Sequence, residues 1–489
     1  MDFLSQAQYE IARYNTRRHF LKKCMSGLGA LTLGSFMGCN PTSSSTEKLL
    51  SSNPLAPLST HFAPKAKRVI FLHMAGAPSQ LELFDYKPEL QKLDGKSCPP
   101  SLLEGKRYPF LGESPMMMGP QASFKQYGGS GTYVSEFLPH FSSMVDEVTI
   151  LKALHTDEFN HAPAQLLMHT GSPRLGRPSM GSWAVYGLGS ENQDLPGFVV
   201  LLSGAENISA GKSAWGSGFL PTVYQGVQCR SKGDPVLYLS NPGKIDSKMR
   251  KLSIDKINQI NEREYQESGD PEILSRISQY ELAFRMQTAV PEVMNINDEP
   301  QWVHEMYGTE PGKRSFANNC LLARRLVEQG VRFVQLFHRG WDHHGTGKGN
   351  GVDDGLKNMC QSVDQATTAL VKDLKQRGLL EDTLVVWGGE FGRTPMMEAR
   401  SGANYKGRDH HGDAFTMWLA GGGMKQGFSY GETDEIGFHG IKDRLHVHDL
   451  QATILHQLGL DHEKLTYTFQ GREFRLTDVS GKVAKDILA

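Results

Sequence analysis

The sequence has few features that would indicate a nucleic-acid-binding protein, a membrane-spanning protein or a small disulfide-rich domain. Its 489 residues contain 52 Lys and Arg against 53 Asp and Glu, and no Lys/Arg-rich tail or stripe occurs, so we exclude nucleic acid as a partner. Six cysteines are scattered without a CxxC pair, which argues against a zinc knuckle and against a dense disulfide framework. No internal repeat is visible. The composition is that of a globular protein, and histidines cluster with Asp and Glu in a few short segments.

The N-terminal segment predicts export. Arg17 and Arg18 are followed by Phe20, Lys22 and an apolar run, in the order of a twin-arginine signal. The run is too short and too rich in glycine to span a bilayer. Because such a signal directs export, we expect the mature chain in the periplasm or on the outer cell surface. Cys39 closes a segment that resembles a lipoprotein cleavage box, so lipid attachment there is left open and would be the protein's link to the membrane.

We divide the chain into three parts. Residues 1–39 form the signal segment, which is of lipoprotein type if Cys39 carries lipid, and residues 40–64 form a Ser/Thr-rich tether. Residues 65–489 form the folded domain. Charged residues alternate with spaced apolar ones near 250–295, which predicts an exposed helical hairpin or insertion.

The folded part is predicted to be an α/β domain with a mostly parallel sheet and helices on both faces. Short apolar runs alternate with segments of helical periodicity. The strand candidates are 69–74, 331–337, 384–387 and 415–420, and the helix candidates are 314–328, 353–377 and 447–458. In such folds ligands bind beyond the carboxyl ends of the strands.

Acidic and imidazole side chains lie at these strand ends. Asp342 and His344 follow one strand, Glu390 follows the next, and His410 and His411 precede a third. Imidazole and carboxylate together suit zinc, manganese or iron, whereas calcium prefers more oxygen ligands. Any one of these histidines could instead form hydrogen bonds in a polar loop. Taken jointly, the three segments predict a site for a divalent metal, most simply zinc or manganese.

These segments resemble a known family, the one named domain of unknown function 1501 (DUF1501), a branch of the alkaline phosphatase-like and sulfatase-like superfamily. The resemblance extends from one end of the predicted domain to the other, in the expected order. The stretches that carry it are AGAPSQLELFDYKPEL (75–90), CLLARRLVEQGVRFVQLFHRGWDHH (320–344), DTLVVWGGEFGRTP (382–395), GRDHHGDAFTMWLAGGGMKQGFSYGETDEIG (407–437), HDLQATILHQLGLDH (448–462) and GREFRLTD (471–478).

The resemblance implies an alkaline phosphatase-like sandwich with a metal cluster at the strand ends, and hydrolysis or transfer of phosphate or sulfate groups. Asp342 and His344 match an Asp and a His that bind one metal, and either His410 or His411 completes that site. Glu390 stands at the Asp of the superfamily's Asp-His-Gly signature, but Phe391 replaces its His. A second metal is therefore in doubt.

Two further departures affect the predicted chemistry. The superfamily's first strand ends in a metal-binding Asp, which is missing here, and Ser79, Glu82 or Asp85 could substitute for it, although Glu82 is better explained as a loop carboxylate. His161 occupies the position of the nucleophile, and Gln165 that of an Arg. His161 could attack phosphorus, bind a metal, bind the substrate anion, or be a structural residue at a helix start.

Three other residues are interpreted with alternatives. Arg393 could clamp an oxyanion, or it could pair with Glu390 or Asp409 and hold loops together. Asp409 could also contact substrate or a second cation. Trp341 either forms a wall of the pocket or packs in the core.

The sequence thus predicts an exported metal-dependent hydrolase of phosphate or sulfate esters, whose substrate is an anionic ester such as a sulfated or phosphorylated glycan. The retained acids and histidines favour this function. The missing nucleophile, signature His and first Asp favour an alternative, a noncatalytic exported surface protein that binds an anionic glycan or a protein partner.

Export is tested by replacing both Arg17 and Arg18 with Lys. Because the twin-arginine pair is the recognised element of such a signal, we expect the double variant to accumulate in the cytoplasm as uncleaved precursor, measured by fractionation and immunoblotting. Export at the wild-type level would contradict the assignment. Metabolic labelling with a lipid precursor tests Cys39 separately.

Overall fold

A nine-stranded sheet forms the centre of the protein, in a computed structural model that describes residues 53–104, 111–112, 114–204, 208–237, 240–241, 245–398 and 405–489. The twin-arginine segment and Cys39 lie outside the described residues. The strands of the sheet are β1 Arg68–Ala75, β2 Val148–His155, β3 Phe198–Ser203, β4 Val227–Cys229, β5 Phe333–Arg339, β6 Thr383–Gly388, β7 Phe415–Ala420, β8 Phe428–Tyr430 and β9 Leu445–His446.

The strands are ordered β8-β2-β7-β6-β1-β5-β3-β4, and β9 also pairs with β2. The central strand β1 is parallel to both neighbours, with Val69 opposite Phe333 on β5 and opposite Leu384 on β6. Strand β7 runs antiparallel to β6 and β2. Its start therefore lies at the same edge as the carboxyl ends of β1, β5 and β6. The predicted strands share one sheet, as expected.

Helices cover both faces of the sheet. They are α1 Gln80–Leu83, α2 Pro88–Leu93, α3 His161–Thr170, α4 Met180–Leu188, α5 Ser247–Ser268, α6 Pro271–Met294, α7 Gln301–Tyr307, α8 Phe316–Glu328, α9 Gly355–Gln376 and α10 Val447–Gln457. Successive side chains of a strand point to opposite faces. On β5, Phe337 contacts His169 of α3, whereas the next residue, His338, contacts Phe316 of α8, each at 5.1 Å between ring centroids. The predicted α/β class is confirmed.

Other local features complete the fold. The segment 87–131 contains α2 and a strand pair formed by Phe124–Tyr127 and Thr132–Ser135. The segment near 250–295, where a helical hairpin or insertion is predicted, forms the helices α5 and α6. The end of the predicted tether lies against the domain, because Leu55 is buried and the Leu58 amide donates to the Leu188 carbonyl at 2.9 Å.

The fully buried helix α4 was not predicted, because its sequence MGSWAVYGL is apolar all round and has no amphipathic period.

The four cysteines of the described ranges, Cys98, Cys229, Cys320 and Cys360, are buried free thiols. Within the described ranges, no helix has both the length and the apolar character that crossing a bilayer requires.

A buried ion network joins the helices on one face. Arg324 of α8, whose side chain is 2% exposed, lies 2.7 Å from Glu299, 2.7 Å from Glu328 and 3.0 Å from Asp373. The Tyr307 hydroxyl donates to the same Asp373 at 2.9 Å. The guanidinium therefore neutralises carboxylates from three different elements.

We expect Arg324→Met to lower the free energy of unfolding by about 3–5 kcal/mol, because it removes the buried one of the two cations that pair with the almost fully buried Asp373. Arg377→Ala is the control, since this half-exposed arginine also bonds Asp373 but should cost no more than about 1 kcal/mol. Urea unfolding of both variants makes the measurement. Equal shifts in the two variants would contradict the assigned role of the network.

Candidate metal centre

Four side chains from separate parts of the sequence converge at the carboxyl edge of the sheet. Asp342 and His344 follow β5. His410 lies in a short ladder that pairs His410–His411 with Gly392–Arg393, just before β7. His161 is the first residue of α3. The sheet topology places all four at one edge because β7 runs opposite to β5 and β6.

The donor atoms of these four residues meet. Asp342 Oδ1 lies 2.8 Å from His344 Nε2, 3.2 Å from His410 Nε2 and 3.3 Å from His161 Nε2. The Nε2 atoms of His344 and His410 are 3.0 Å apart. One ligand atom from each of the four residues lies within 4.8 Å of the others.

The outer nitrogen of each imidazole is held by a second group. His410 Nδ1 bonds the Phe159 carbonyl at 2.8 Å and His161 Nδ1 bonds Glu390 Oε1 at 2.7 Å. His344 Nδ1 bonds Glu398. Carbonyl and carboxylate oxygens accept hydrogen bonds, so they place the proton on Nδ1 and direct the Nε2 lone pair into the cluster. Metal-binding histidines show this same outer-shell arrangement.

The cluster fits a divalent ion. Donors around tetrahedral zinc at about 2.0–2.1 Å lie about 3.3 Å from one another, close to the separations here. In the part of the chain that the structure describes, His161 Nε2 is buried and has no hydrogen-bond partner, which a metal would supply. Three nitrogens and one oxygen suit zinc, and also manganese or iron, but not calcium.

The charges of the cluster are set by its neighbours. Burial raises the pKa of Asp342, but Arg393 and the three surrounding imidazoles outweigh it and hold that pKa well below its usual range. Burial and Arg393 lower the pKa of His410 to about 3, so its imidazole is neutral. Burial also lowers the pKa of His161, but the nearby carboxylates of Asp342 and Glu390 raise it overall to about 9. The two carboxylates thus favour a positive charge at His161, which a proton or a metal ion can provide.

Glu390, predicted as a metal ligand, lies behind His161 and is not among the four convergent residues. Its fully buried carboxylate accepts from the Gly76 amide at 3.1 Å and from Gln165 Nε2 at 2.9 Å. His73 Nε2 lies 3.2 Å from its second oxygen. Burial raises the pKa of Glu390, but His161 and His73 outweigh it and keep the pKa well below the usual value. Glu390 therefore orients His161.

The residues proposed to replace the missing Asp of the first strand lie elsewhere. The Ser79 hydroxyl donates to Glu82, and Glu82 forms a fully buried ion pair with Arg408 at 2.6 Å. Asp85 accepts from the Thr433 hydroxyl and pairs with Lys87 at 3.1 Å. Neither Ser79 nor Asp85 is among the four convergent residues, because local partners in and after α1 hold them.

The two histidines of the His410–His411 pair diverge. His411 bonds the Phe438 carbonyl and stacks on the Phe438 ring at 4.6 Å between centroids. In an extended strand, adjacent side chains point in opposite directions, so only His410 faces the cluster. Asp409 is fully buried, accepts from the His410 amide at 2.7 Å and lies beside His344 and Glu398, behind the cluster.

Arg393, predicted either to clamp an oxyanion or to hold loops together, has its guanidinium engaged by protein acceptors. Its guanidinium, 1% exposed, donates to Asp342 Oδ1 at 2.7 Å and to the Ala77 and Arg408 carbonyls at 3.0 Å. It also donates to the Gly76 carbonyl. Gly76 has φ +117°, and a Cβ there would lie 2.6 Å from the Asp342 amide. This close approach requires glycine.

An open cavity of about 200 Å3 adjoins the cluster. It is lined by Ala75, Gly76, His161, Gln165, Ile208, Ser209, Arg339, Gly340, Asp342 and Asn350. Trp341 is fully buried and its indole nitrogen donates to His338 Nδ1 at 3.1 Å, so it packs in the core.

Sequence reasoning missed two residues that support the cluster, His73 and Glu398, and a third, Arg339, that lines the adjoining cavity. His73 lies inside the apolar run of β1, Glu398 follows a loop and Arg339 ends β5. His73 could have been noticed, because it is the one polar residue within the apolar run 69–74. Nothing in the sequence distinguishes Glu398 from an ordinary loop carboxylate.

Several solved structures resemble this chain at low identity. The lipoteichoic acid synthase LtaP from Listeria monocytogenes is 10% identical over 88% of this chain and 80% of its own, with a TM-score of 0.34. The PsFucS1 sulfatase from Pseudoalteromonas sp. is 11% identical over 81% and 68%, with a TM-score of 0.33. Alkaline phosphatase from the Antarctic bacterium TAB5 is 10% identical over 81% and 98%, with a TM-score of 0.30.

A search of curated proteins gives no match. The model of one protein family, described as "Protein of unknown function (DUF1501)", matches residues 66–488. That range covers the whole predicted domain and all the stretches on which the resemblance was based. The chain therefore belongs to the DUF1501 family.

Proposed function

We propose that this protein is an exported hydrolase of phosphate or sulfate esters that depends on a single divalent metal ion. The observation that supports the proposal is the convergence of three imidazole Nε2 atoms on Asp342 Oδ1 beside an open cavity. Export rests on Arg17 and Arg18, and an anionic glycan ester as substrate rests on the family resemblance.

Asp342, His344, His410 and His161 would hold the ion. When bound, it supplies Lewis acidity to an ester oxygen. The protein side chains fix the geometry: Glu398 and the Phe159 carbonyl orient two of the imidazoles, and Arg393 orients Asp342. His161 lies on the cavity wall, with its Nδ1 held by Glu390, so its Nε2 is placed at the boundary between the cluster and a substrate.

One observation favours a noncatalytic alternative. Four protein donors complete a tetrahedral coordination sphere, and zinc sites of that kind are structural because they have no open position. The protein would then use its cavity to bind an anionic glycan or a protein partner. Whether His161 remains bound to the ion separates the two functions.

The metal site is tested by Asp342→Ala and His410→Ala, with His411→Ala as the matched control. Each of the first two removes a convergent donor atom, so we expect metal content, measured by mass spectrometry of the purified protein, to fall from roughly one ion per chain to below about a tenth. Hydrolysis of p-nitrophenyl phosphate or sulfate should fall with it. His411→Ala should retain both, since that ring points to Phe438.

The outcomes are distinct. Full metal content in Asp342→Ala, or equal loss in the His410 and His411 variants, would contradict the assigned ligands. If the wild-type protein binds metal but cleaves neither class of ester, the proposed hydrolase is contradicted and the noncatalytic binding function is supported.

His161→Ala tests the role of the fourth imidazole. We expect the variant to bind metal roughly 10- to 100-fold more weakly, because three donors remain, and to lose at least about 100-fold in turnover when metal is supplied in excess. Metal affinity comes from competition with a chelator, and turnover from the same ester substrates. Unchanged affinity and turnover would make His161 a structural residue at the start of α3.

A further inference from the structure

The cavity wall carries a cationic side chain to which neither the family resemblance nor the metal cluster gives a role. Arg339 is the last residue of β5, is exposed and lines the cavity together with Asp342 and His161. Across the described ranges, no carboxylate lies within ion-pair distance of its guanidinium, and no hydrogen bond engages it. Its positive charge is therefore available to a ligand.

The other arginines near the site differ in this respect. Arg393 and Arg408 are fully buried, and carbonyl or carboxylate oxygens engage their guanidinium groups. Arg332, which immediately precedes β5, donates to the Lys67 carbonyl and to Glu191 at the far end of that strand from Arg339. These three arginines have protein acceptors, whereas Arg339 has none among the residues that the structure describes.

The surroundings of Arg339 favour an anion. Helix α3 begins at His161 in the cavity wall, so the positive end of its dipole faces the same space. Ser209 adds a hydroxyl to the lining. The nearest carboxylate of the lining, Asp342, is engaged by Arg393 and three imidazoles through Oδ1, so its charge is compensated on the side of the cluster.

We infer that Arg339 binds the oxygens of a phosphate or sulfate group and holds it beside the metal cluster. This inference rests on the proposed function and names the substrate class for the same site. A planar guanidinium pairs with two oxygens of such a group. Pockets for whole drug-sized ligands measure about 300–1,000 Å3, and this cavity holds about 200 Å3. The site thus accepts a terminal phosphate or sulfate monoester, with the rest of the molecule outside.

The test measures binding of inorganic phosphate and of sulfate to the full metal-loaded protein by calorimetry. We expect Arg339→Ala to weaken binding roughly 10- to 100-fold, because one charge-assisted pair of hydrogen bonds is lost. Arg339→Lys should recover part of the affinity. Arg263→Ala removes the same charge from the exposed face of α5 and should leave binding unchanged.

Metal content and unfolding midpoint are measured on every variant. Wild-type affinity in Arg339→Ala overturns the inference, as does loss of metal in that variant, because Arg339 would then support the cluster. Failure of the wild-type protein to bind either anion also overturns it. If the wild-type protein contains no metal but binds phosphate or sulfate, and Arg339→Ala weakens that binding, the inference on Arg339 is supported and the proposed metal-dependent hydrolase is contradicted. The anion that binds with the higher affinity, phosphate or sulfate, identifies the class of ester.

Discussion

The structure of the site depends on the contact between Asp342 and Arg393. The guanidinium is almost fully buried and donates to the Asp342 carboxylate at 2.7 Å while it also bonds the Gly76 and Ala77 carbonyls. It therefore joins the exit of β5 to the exit of β1 and keeps one carboxylate oxygen charged at the point where three imidazoles meet. Without that buried cation, the Gly76 and Ala77 carbonyls would lose a buried donor, and the Asp342 carboxylate would lose its charge partner.

Protein groups supply the hydrogen-bond partners of the buried Glu390 carboxylate. The family resemblance places Glu390 where the superfamily has a metal-binding Asp, but the His that follows that Asp is Phe391 here. The Gly76 amide, Gln165 and His161 bond its carboxylate, and His73 lies within ion-pair distance. Their combined effect keeps the pKa of Glu390 low despite complete burial. Glu390 thus orients His161 toward the cluster.

Much of the fold was predictable because continuous apolar runs mark buried parallel strands, and the residues just beyond them share one edge of the sheet. That reasoning located Asp342 and the His410–His411 pair. It could not choose between the two histidines, because the choice depends on which face of a two-residue ladder meets the cluster. It missed His73 and Arg339 for a related reason. Their importance comes from what lies across the sheet edge from them, and strand patterns contain no information on such distant partners.

The central claim is that three imidazole nitrogens and one Asp342 oxygen bind a single metal ion. X-ray absorption spectroscopy on the chain purified without added metal, combined with an anomalous difference map from a crystal, tests it most directly. The account predicts one ion per chain with three nitrogen donors and one carboxylate oxygen, located between Asp342 and His410, together with any exogenous light-atom ligand. An ion with sulfur ligands, an ion bound elsewhere, or a protein that remains metal-free after incubation with zinc and manganese would contradict it.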